Sequence, residues 1–421
     1  MRDIKKMTTK KKKFKYQPLS LKDILREMKK NIDLMIDLAY SAIKFGSKDF
    51  ADETTKIERR IHELTFLLNL QIIQTQAGGF KEAKRLEPIV VMGYSIDKIS
   101  DALADIARVV YINSDITEFT QLFWDYVPEP IIKITINSNC EFIGVPRKEI
   151  HFRSIHGVDL IAIVRGDKVL FDKTLGLQEG DVLIIKGSKG AIIELKSKCF
   201  DKDPISFDLE PEERESIFNL DNEEIKEYLE DLKKSYVQIT DISETMTELA
   251  LAALFFNNYE LSEDILEMEE LMDGLNISFE KDLLDFAKII DYPRDLTGIM
   301  RIVFSCELIA DAAANIAENV LRGFKVHGIL QQAVSETFEV VVRETISEDS
   351  FFKGKTYEQL QDRRYKRGFN IIALKRDKKW IYSFKHNFIF KVGDLIIGLG
   401  PKETLDSWRK CVHPEIFKDE E

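Results

Sequence analysis

The sequence has 421 residues, and 61 Lys and Arg stand against 73 Asp and Glu, which gives a formal net charge of −12 at pH 7. We do not expect so acidic a chain to bind nucleic acid, because contacts with phosphates need a positive surface. The four cysteines lie far apart without a CxxC pair, which indicates neither a zinc site nor a disulfide framework and fits a reducing cytoplasm.

Residues 1–16 form a basic segment that contains KKKK at Lys10 to Lys13. We predict a disordered, solvated tail, and the alternative is a contact with anionic lipid or with an acidic partner. The segment lacks the apolar core of a signal peptide. The longest apolar run of the sequence, Leu249 to Phe256, is too short to span a bilayer.

Residues 17–126 have the apolar periodicity of three long helices joined by short turns, which predicts an antiparallel bundle. Gly46 is placed to end the first helix, since glycine is favoured just past a helix terminus. The second helix is predicted over residues 47–76 and the third over 82–124.

Residues 127–200 are predicted to form a small α+β module. Two prolines, Pro128 and Pro130, end the helical region, and beyond them the apolar period changes to two. Strands are predicted over 131–136, 158–165 and 181–186, with a short helix near 147–150. The second of these strands is apolar along most of its length, so we expect it in the centre of the sheet.

The predicted helical segment DKISDALADIARVV, which begins at Asp97, has a similar segment, ELIADAAANIAENVLR, which begins at Glu307, about 210 positions later. Other blocks of both regions repeat in the same order, so the chain is an internal duplication. An acidic linker is predicted over 201–221, a second helical bundle over 222–331, and a second α+β module over 332–415.

The repeated helix carries a narrow acidic strip beside small residues, where a second helix can approach closely. The strip comprises Glu307, Asp311 and Glu318 in the second copy and Asp97, Asp101 and Asp105 in the first. Carboxylates at this spacing suit a divalent metal or iron. Further ligands are expected from the second helices, namely Glu58 and His62, and Glu269 and Asp273. The alternative is that these are ordinary solubility residues. The first copy has Arg108 where the second has Glu318, which disfavours metal there.

Basic residues of the two α+β modules form a second candidate site, for a ligand that bears phosphate. Arg165 and Arg376 each end an apolar strand. The other members are His156 in the first copy and Arg363, Arg364 and Arg367 in the second. The alternative is a charged, solvated surface.

The helical blocks resemble the PhoU family, whose three-helix repeats carry an E/D-xxx-D motif on the last helix, here at Glu307 and Asp311. The α+β blocks resemble the TrkA C-terminal (RCK C-terminal) domain. The residues that match its pattern are Gly144, Arg165, Gly180 and Asp181 in one copy and Gly354, Arg376, Gly393 and Asp394 in the other. These resemblances imply two three-helix PhoU-like bundles alternating with two small α/β TrkA C-terminal-like modules.

The resemblance implies a non-enzymatic regulatory protein that senses a small-molecule ligand, such as cyclic di-AMP or another nucleotide. The expected partner is a membrane cation channel or transporter subunit, in particular for potassium. We expect the protein in the cytoplasm, at the inner face of the membrane when it is bound to that partner. A homodimer built on the internal pseudo-twofold is a further expectation.

Two alternative functions remain from the sequence, a PhoU-type metal-binding adaptor in phosphate transport or signalling and a purely structural scaffold. An enzyme is not expected, because the sequence has no P-loop, HExxH motif or nucleophile elbow, and its six histidines are scattered. No GxGxxG follows a predicted strand, so NAD or ATP sensing through a Rossmann fold is not predicted.

Overall fold

A computed structural model gives the fold of the chain. It describes residues 19–75, 79–112, 131–166, 168–172, 174–187, 189–199, 223–290, 293–323, 340–360, 369–382, 384, 387–400 and 402–415. The predicted basic tail, the acidic linker and the basic residues Arg363, Arg364 and Arg367 lie outside this described part.

The first bundle consists of helices α1 (Leu21–Phe45), α2 (Lys48–Thr75) and α3 (Phe80–Ile112). Ser20 caps the start of α1, because its hydroxyl accepts a hydrogen bond from the Asp23 backbone N–H at 3.1 Å. Gly46 ends α1 in the left-handed conformation, at φ 57°, as the sequence predicts.

The first α+β module contains a four-stranded antiparallel sheet in the order β1-β4-β2-β3. Its elements are β1 (Ile131–Thr135), α4 (Arg147–Ile150), β2 (Val158–Arg165), β3 (Lys168–Leu170), β4 (Val182–Gly187) and α5 (Lys189–Cys199). The interior position predicted for β2 is confirmed. The sequence does not predict β3, since three residues are too few to show a period of two.

The second bundle consists of α6 (Glu223–Phe256), α7 (Tyr259–Phe286) and α8 (Thr297–Leu321). Asn258 caps α7 by accepting a hydrogen bond from the Leu261 backbone N–H at 3.0 Å. A 3-10 turn over Pro293–Leu296 leads into α8.

The second module repeats the first, with the strand order β5-β8-β6-β7. Its elements are β5 (Val340–Thr345), α9 (Tyr357–Leu360), β6 (Asn370–Arg376), β7 (Lys379–Ile381), β8 (Leu395–Gly400) and α10 (Leu405–Val412). The register of the sheet shifts between Leu160 and Ala162 in one copy and between Ile371 and Ala373 in the other. A bulge retained at the same place supports the duplication and confirms the predicted alternation of helical and α/β units.

Both bundles share one hydrophobic core. The most extensive contact between helices joins α3 to α8, the repeated helices that carry the acidic strips. Alanines of both helices are buried there, among them Ala104, Ala107, Ala313 and Ala317. At a second point of contact the Tyr40 hydroxyl of α1 lies 3.8 Å from the Cys306 sulfur of α8. The six long helices therefore form one body, as the duplication suggests.

Each sheet packs one face against this helical body, since Ile161 and Ile184 of the first sheet and Ala373 and Ile397 of the second join the shared core. The opposite face of each sheet has a core of its own. In the second module that core is centred on Trp408, which is buried.

The turn before β8 depends on a buried carboxylate. Asp394 is 1% exposed and accepts hydrogen bonds from Arg376 Nε and Nη2, each at 2.6 Å, and from the Lys391 backbone N–H at 2.7 Å. The ion pair raises the pKa of Arg376. Asp181 and Arg165 make the same pair in the first module.

We predict that Arg376→Ala destabilises the second module by about 3 kcal/mol, because it leaves the Asp394 charge buried without its cation. The measurement is urea unfolding followed by tryptophan fluorescence, which reports on the buried Trp408. Lys353→Ala is the matched control, since Lys353 forms a surface ion pair with Glu348, and its midpoint should stay unchanged. Equal midpoints for the two variants would contradict a structural role for Arg376.

Candidate functional site

Three carboxylates of the second bundle meet between α7 and α8. They are Glu269 and Asp273, one helical turn apart on α7, and Asp311 on α8, and one oxygen of each lies within 4.8 Å of the others. We call this group cluster two. The sequence names all three residues, because the acidic strip supplies Asp311 and the repeat offset points to the positions on the second helix.

The carboxylates of cluster two repel one another. Partial burial raises the pKa of Glu269, and the charges of Asp273 and Asp311 raise it further. Partial burial and then Asp273 raise the pKa of Asp311, while Lys98 of α3 lowers it. A site of this kind favours binding of a cation, which would relieve the repulsion.

The two other predicted members of this strip lie beside cluster two. Glu307 accepts a hydrogen bond from the buried Asn276 amide. Partial burial raises the pKa of Glu307, and Asp311 and Asp273 add to the shift. Glu318, further along α8, contributes to the raised pKa of Glu269 and pairs with Arg322 Nη2 at 3.4 Å.

The equivalent group of the first bundle consists of Glu58 and His62 on α2 and Asp101 on α3, again within 4.8 Å of one another. We call it cluster one. His62 Nε2 lies 2.9 Å from Asp101 Oδ1 and 3.6 Å from Asp97 Oδ1. Burial raises the pKa of Asp97. The structure thus brings together Asp97, Asp101 and the two predicted residues of α2.

Arg108 makes cluster one different from cluster two. Its Nη2 donates to the Glu58 carboxylate, and its Nη1 lies 3.1 Å from Asp105 Oδ1. The predicted ligand Asp105 is therefore paired with arginine. Because Arg108 stands at the position of Glu318, the first copy has a guanidinium paired with Glu58 where the second copy has a carboxylate.

The donor atoms indicate which ion each cluster suits. Three carboxylates offer only oxygen, which hard cations such as magnesium and calcium prefer and which manganese also accepts. Cluster one adds an imidazole nitrogen, a ligand that suits zinc and iron. The charges of the two groups predict that cluster two is the stronger cation site.

The predicted ligand-binding arginines at the ends of β2 and β6 are both paired with a carboxylate of the same module. Arg165, at the end of β2, donates from Nε and Nη2 to Asp181 at 2.7 and 2.8 Å and from Nη2 to the Gly176 carbonyl at 2.9 Å. Arg376 makes the same set with Asp394 and with the Ile389 carbonyl. These contacts give both guanidinium groups a role in holding the turn before the last strand.

His156 lies at the other end of β2, immediately before the strand begins. Its ring is buried against Phe142 and Phe152, with centroid distances of 5.2 and 6.2 Å. Eight strand residues at about 3.4 Å each separate His156 from Arg165, so the two do not share one site.

Arg147 is a charged residue of this module that the sequence analysis does not single out. Burial lowers its pKa to about 10, and its guanidinium donates to the Phe171 and Ile161 carbonyls at 3.4 Å. The second copy has the buried Tyr357 at this position. A charge in one repeat where the other has an aromatic core residue is the sequence signal that identifies it.

Comparison with models of protein families gives matches over more than half of the chain. The PhoU domain matches residues 25–110 and 236–320, and the TrkA-C domain matches residues 131–199. The chain therefore contains two PhoU domains with a TrkA-C domain between them. The structure repeats the fold of the TrkA-C domain after the second PhoU domain.

Among curated proteins, no match was found. The sequence is similar to three solved structures, described as the GsuK channel, the GsuK channel bound to NAD and the GsuK RCK domain. Their identities are 10%, 11% and 12%, over 76%, 76% and 70% of this chain, with TM-scores of 0.17, 0.17 and 0.16. The chain spans 66%, 66% and 70% of their lengths.

We predict that Asp311→Asn stabilises the metal-free protein at neutral pH. Since Asp311, Glu269 and Glu307 have raised pKa values, the folded state binds protons more tightly than the unfolded chain does. Their contribution to stability is therefore present at low pH and is lost as the pH rises above about 4 through the raised values. Urea unfolding with a chelator at about pH 5 and about pH 7 should show an advantage for the variant that grows with pH.

Asp101→Asn is the matched control for this prediction, because it changes the equivalent position of cluster one. That variant loses a carboxylate already paired with His62, so it should not gain stability. A gain of equal size in both variants would show that general charge reduction, and not repulsion within cluster two, causes the effect.

Proposed function

We propose that this protein is a non-enzymatic, ligand-sensing regulatory subunit of potassium or other cation transport. The TrkA-C domain supports the proposal, since the resemblance described above connects this domain with regulators of potassium channels and transporters. The observation that carries it is the packing of both sheets against one helical body shared by the two PhoU bundles. A change in either sheet module would therefore reach both bundles.

Ion pairs join the first sheet to both bundles at once. Lys186 of β4 is largely buried, and its ammonium lies 2.5 Å from Glu244 Oε1 on α6 and 3.5 Å from Asp37 Oδ1 on α1. One lysine thus connects the TrkA-C domain with the first helix of each PhoU bundle.

The second sheet docks by similar chemistry on α7. Arg343 of β5 donates to Asp264 at 2.8 Å and to Glu260 at 3.0 Å, and Lys375 of β6 pairs with Glu267. Asp264 is buried, so removing its basic partners would cost more than breaking an ordinary surface pair, because the carboxylate would be left buried without a cation. Basic residues on the sheets and acidic residues on the helices form both joints.

Ligand binding would then act by a shift between two orientations of a sheet module on the helical body. A ligand that binds one orientation more tightly favours it by the ratio of its two affinities. In the first module we propose Arg147 and Arg165 as ligand-binding groups, and His156, at the other end of β2, for a separate contact. In the second module we propose Arg376 with Arg363, Arg364 and Arg367. A nucleotide such as cyclic di-AMP fits this basic set, because arginine binds phosphate in a bidentate manner.

The second candidate function is a metal-dependent PhoU adaptor in phosphate transport or signalling. Cluster two favours it, since three carboxylates with raised pKa values lie close enough to coordinate one divalent ion. Magnesium, manganese and iron are the ions to test. Metal at this cluster and ligand at the sheet modules are compatible in one regulatory protein.

We place the protein in the cytoplasm, bound to the inner face of the membrane through a channel or transporter subunit. Along the described part of the chain, none of the helices combines the length and the apolarity that crossing a membrane requires. The internal pseudo-twofold suggests a partner of matching symmetry or a homodimer of this chain.

We predict that a nucleotide raises the thermal unfolding midpoint of the full chain. The assay compares cyclic di-AMP, ATP and NAD, each with potassium present and with potassium absent. A ligand at 100 times its Kd adds about 2.7 kcal/mol to the stability of the state that binds it. Arg147→Met should abolish the shift, whereas Arg376→Ala would also break the ion pair with the buried Asp394 and so confound binding with stability. No shift with any nucleotide or with potassium would refute the sensing proposal.

The metal function has a separate outcome in the same assay. Divalent metal should raise the midpoint of the wild-type protein, and Asp311→Asn and Glu269→Gln should each remove that shift. The corresponding variants of cluster one, Asp101→Asn and Glu58→Gln, should keep it. Equal loss in both sets would contradict the assignment of the stronger site to cluster two.

A further inference from the structure

Large apolar side chains are exposed at the same four positions of both repeats. In the second bundle they are Ile277 and Leu284 on α7 and Met300 and Phe304 on α8, which we call face two. Their counterparts in the first bundle are Phe66 and Ile73 on α2 and Val90 and Tyr94 on α3, which we call face one. Phe304 is 55% exposed and Tyr94 59%.

The four residues of face two lie on one side of two adjacent helices. Ile277 and Leu284 are two turns apart on α7, and Met300 and Phe304 are one turn apart on α8. A groove of about 440 Å³ runs between these helices, and its lining includes Leu283, Met300 and Phe304. A groove between two helices can accept the side chains that a third helix projects every three or four residues.

The agreement between the repeats indicates that exposure of these residues has a use. Neighbouring positions of the same helices have diverged in charge, such as Asp273 against His62 and Arg301 against Val91. Core packing does not keep the four positions apolar, because they are exposed. Contiguous exposed apolar surface on a folded domain marks a site of interaction.

The charges around face two specify what it binds. Asp105 and Glu280 line the groove. Of cluster two, Asp273 lies one turn before Ile277 on α7, and Asp311 lies two turns after Phe304 on α8. Helix α7 carries ten Asp and Glu and one Lys. Arg301 is a single basic residue in the lining, so the surroundings remain acidic and favour a basic occupant.

We propose that face two binds an amphipathic helix of a partner protein, with apolar side chains in the groove and Lys or Arg toward cluster two. Face one binds the equivalent helix from the other half of the same partner, more weakly because its surroundings are less acidic. A partner with twofold symmetry presents one such helix to each repeat. The proposal rests on the proposed function only in taking the partner to be a transport protein.

The test measures binding of a fluorescein-labelled helical peptide, with leucine on one side and lysine on the other, to the full chain by fluorescence anisotropy. The double variant Met300→Ser with Phe304→Ser should weaken the tighter site about tenfold. Val90→Ser with Tyr94→Ser should affect only the weaker site. Ile193→Ser is the matched control and should not change binding, because Ile193 is 54% exposed on α5, a helix that packs on the sheet face opposite the helical body.

Four results would overturn the proposal. The first is unchanged peptide affinity in the Met300→Ser, Phe304→Ser variant, and the second is equal binding of a peptide with glutamate in place of lysine. The third is that the wild-type protein binds phosphatidylglycerol vesicles and the same double variant does not. The fourth is a lower molecular mass of the double variant than of the wild-type protein by sedimentation equilibrium. The third would assign the face to lipid and the fourth to a second copy of this chain. Failure of the nucleotide assay would leave this result untouched, so the two proposals fail separately.

Discussion

The contact between α3 and α8 is the constraint on which the rest of the structure depends. Lys98 of α3 lies near Asp311 of α8, whereas Asp105, further along α3, lines a groove with residues earlier on α8, so the two helices run antiparallel. Their buried alanines let the backbones approach closely. Because the two bundles share this core, a rotation of one changes the packing of the other, and the sheets packed on the same core are coupled to both.

Fusion of two copies in one chain also permits the copies to differ. In a homodimer every substitution occurs on both sides of the axis, but here Arg108 faces Glu58 in one half while Glu318 stays acidic in the other. Arg147 and Tyr357 show the same divergence in the sheet modules. The pseudo-twofold body is thus kept by its apolar core, while the polar positions around it are free to specialise.

Most of the architecture could be predicted, because periodicity and duplication are properties of the sequence itself. The helices, the main strands and the meeting of Asp311 with Glu269 and Asp273 follow from spacing and offset. The partner of a side chain does not follow in this way. Arg165 at a strand end is compatible with a phosphate ligand or with Asp181, and only the fold of the turn places that carboxylate against it. The exposure of Phe304 and Tyr94 could not be predicted either. The sequence shows that a helix position is apolar, but only the packing of the fold shows whether another element covers it.

The position of cluster two beside the apolar face has a consequence for regulation. A divalent ion bound by Glu269, Asp273 and Asp311 would cancel the negative charge that attracts the basic end of a docked helix. The ion and the helix would therefore compete, and by linkage each would weaken the affinity of the other by the same factor. Arg108 removes this competition from the first repeat, because Glu58 is already paired there. The two repeats would then hold one partner with one metal-sensitive contact and one constant contact, a division that a symmetric dimer could not make.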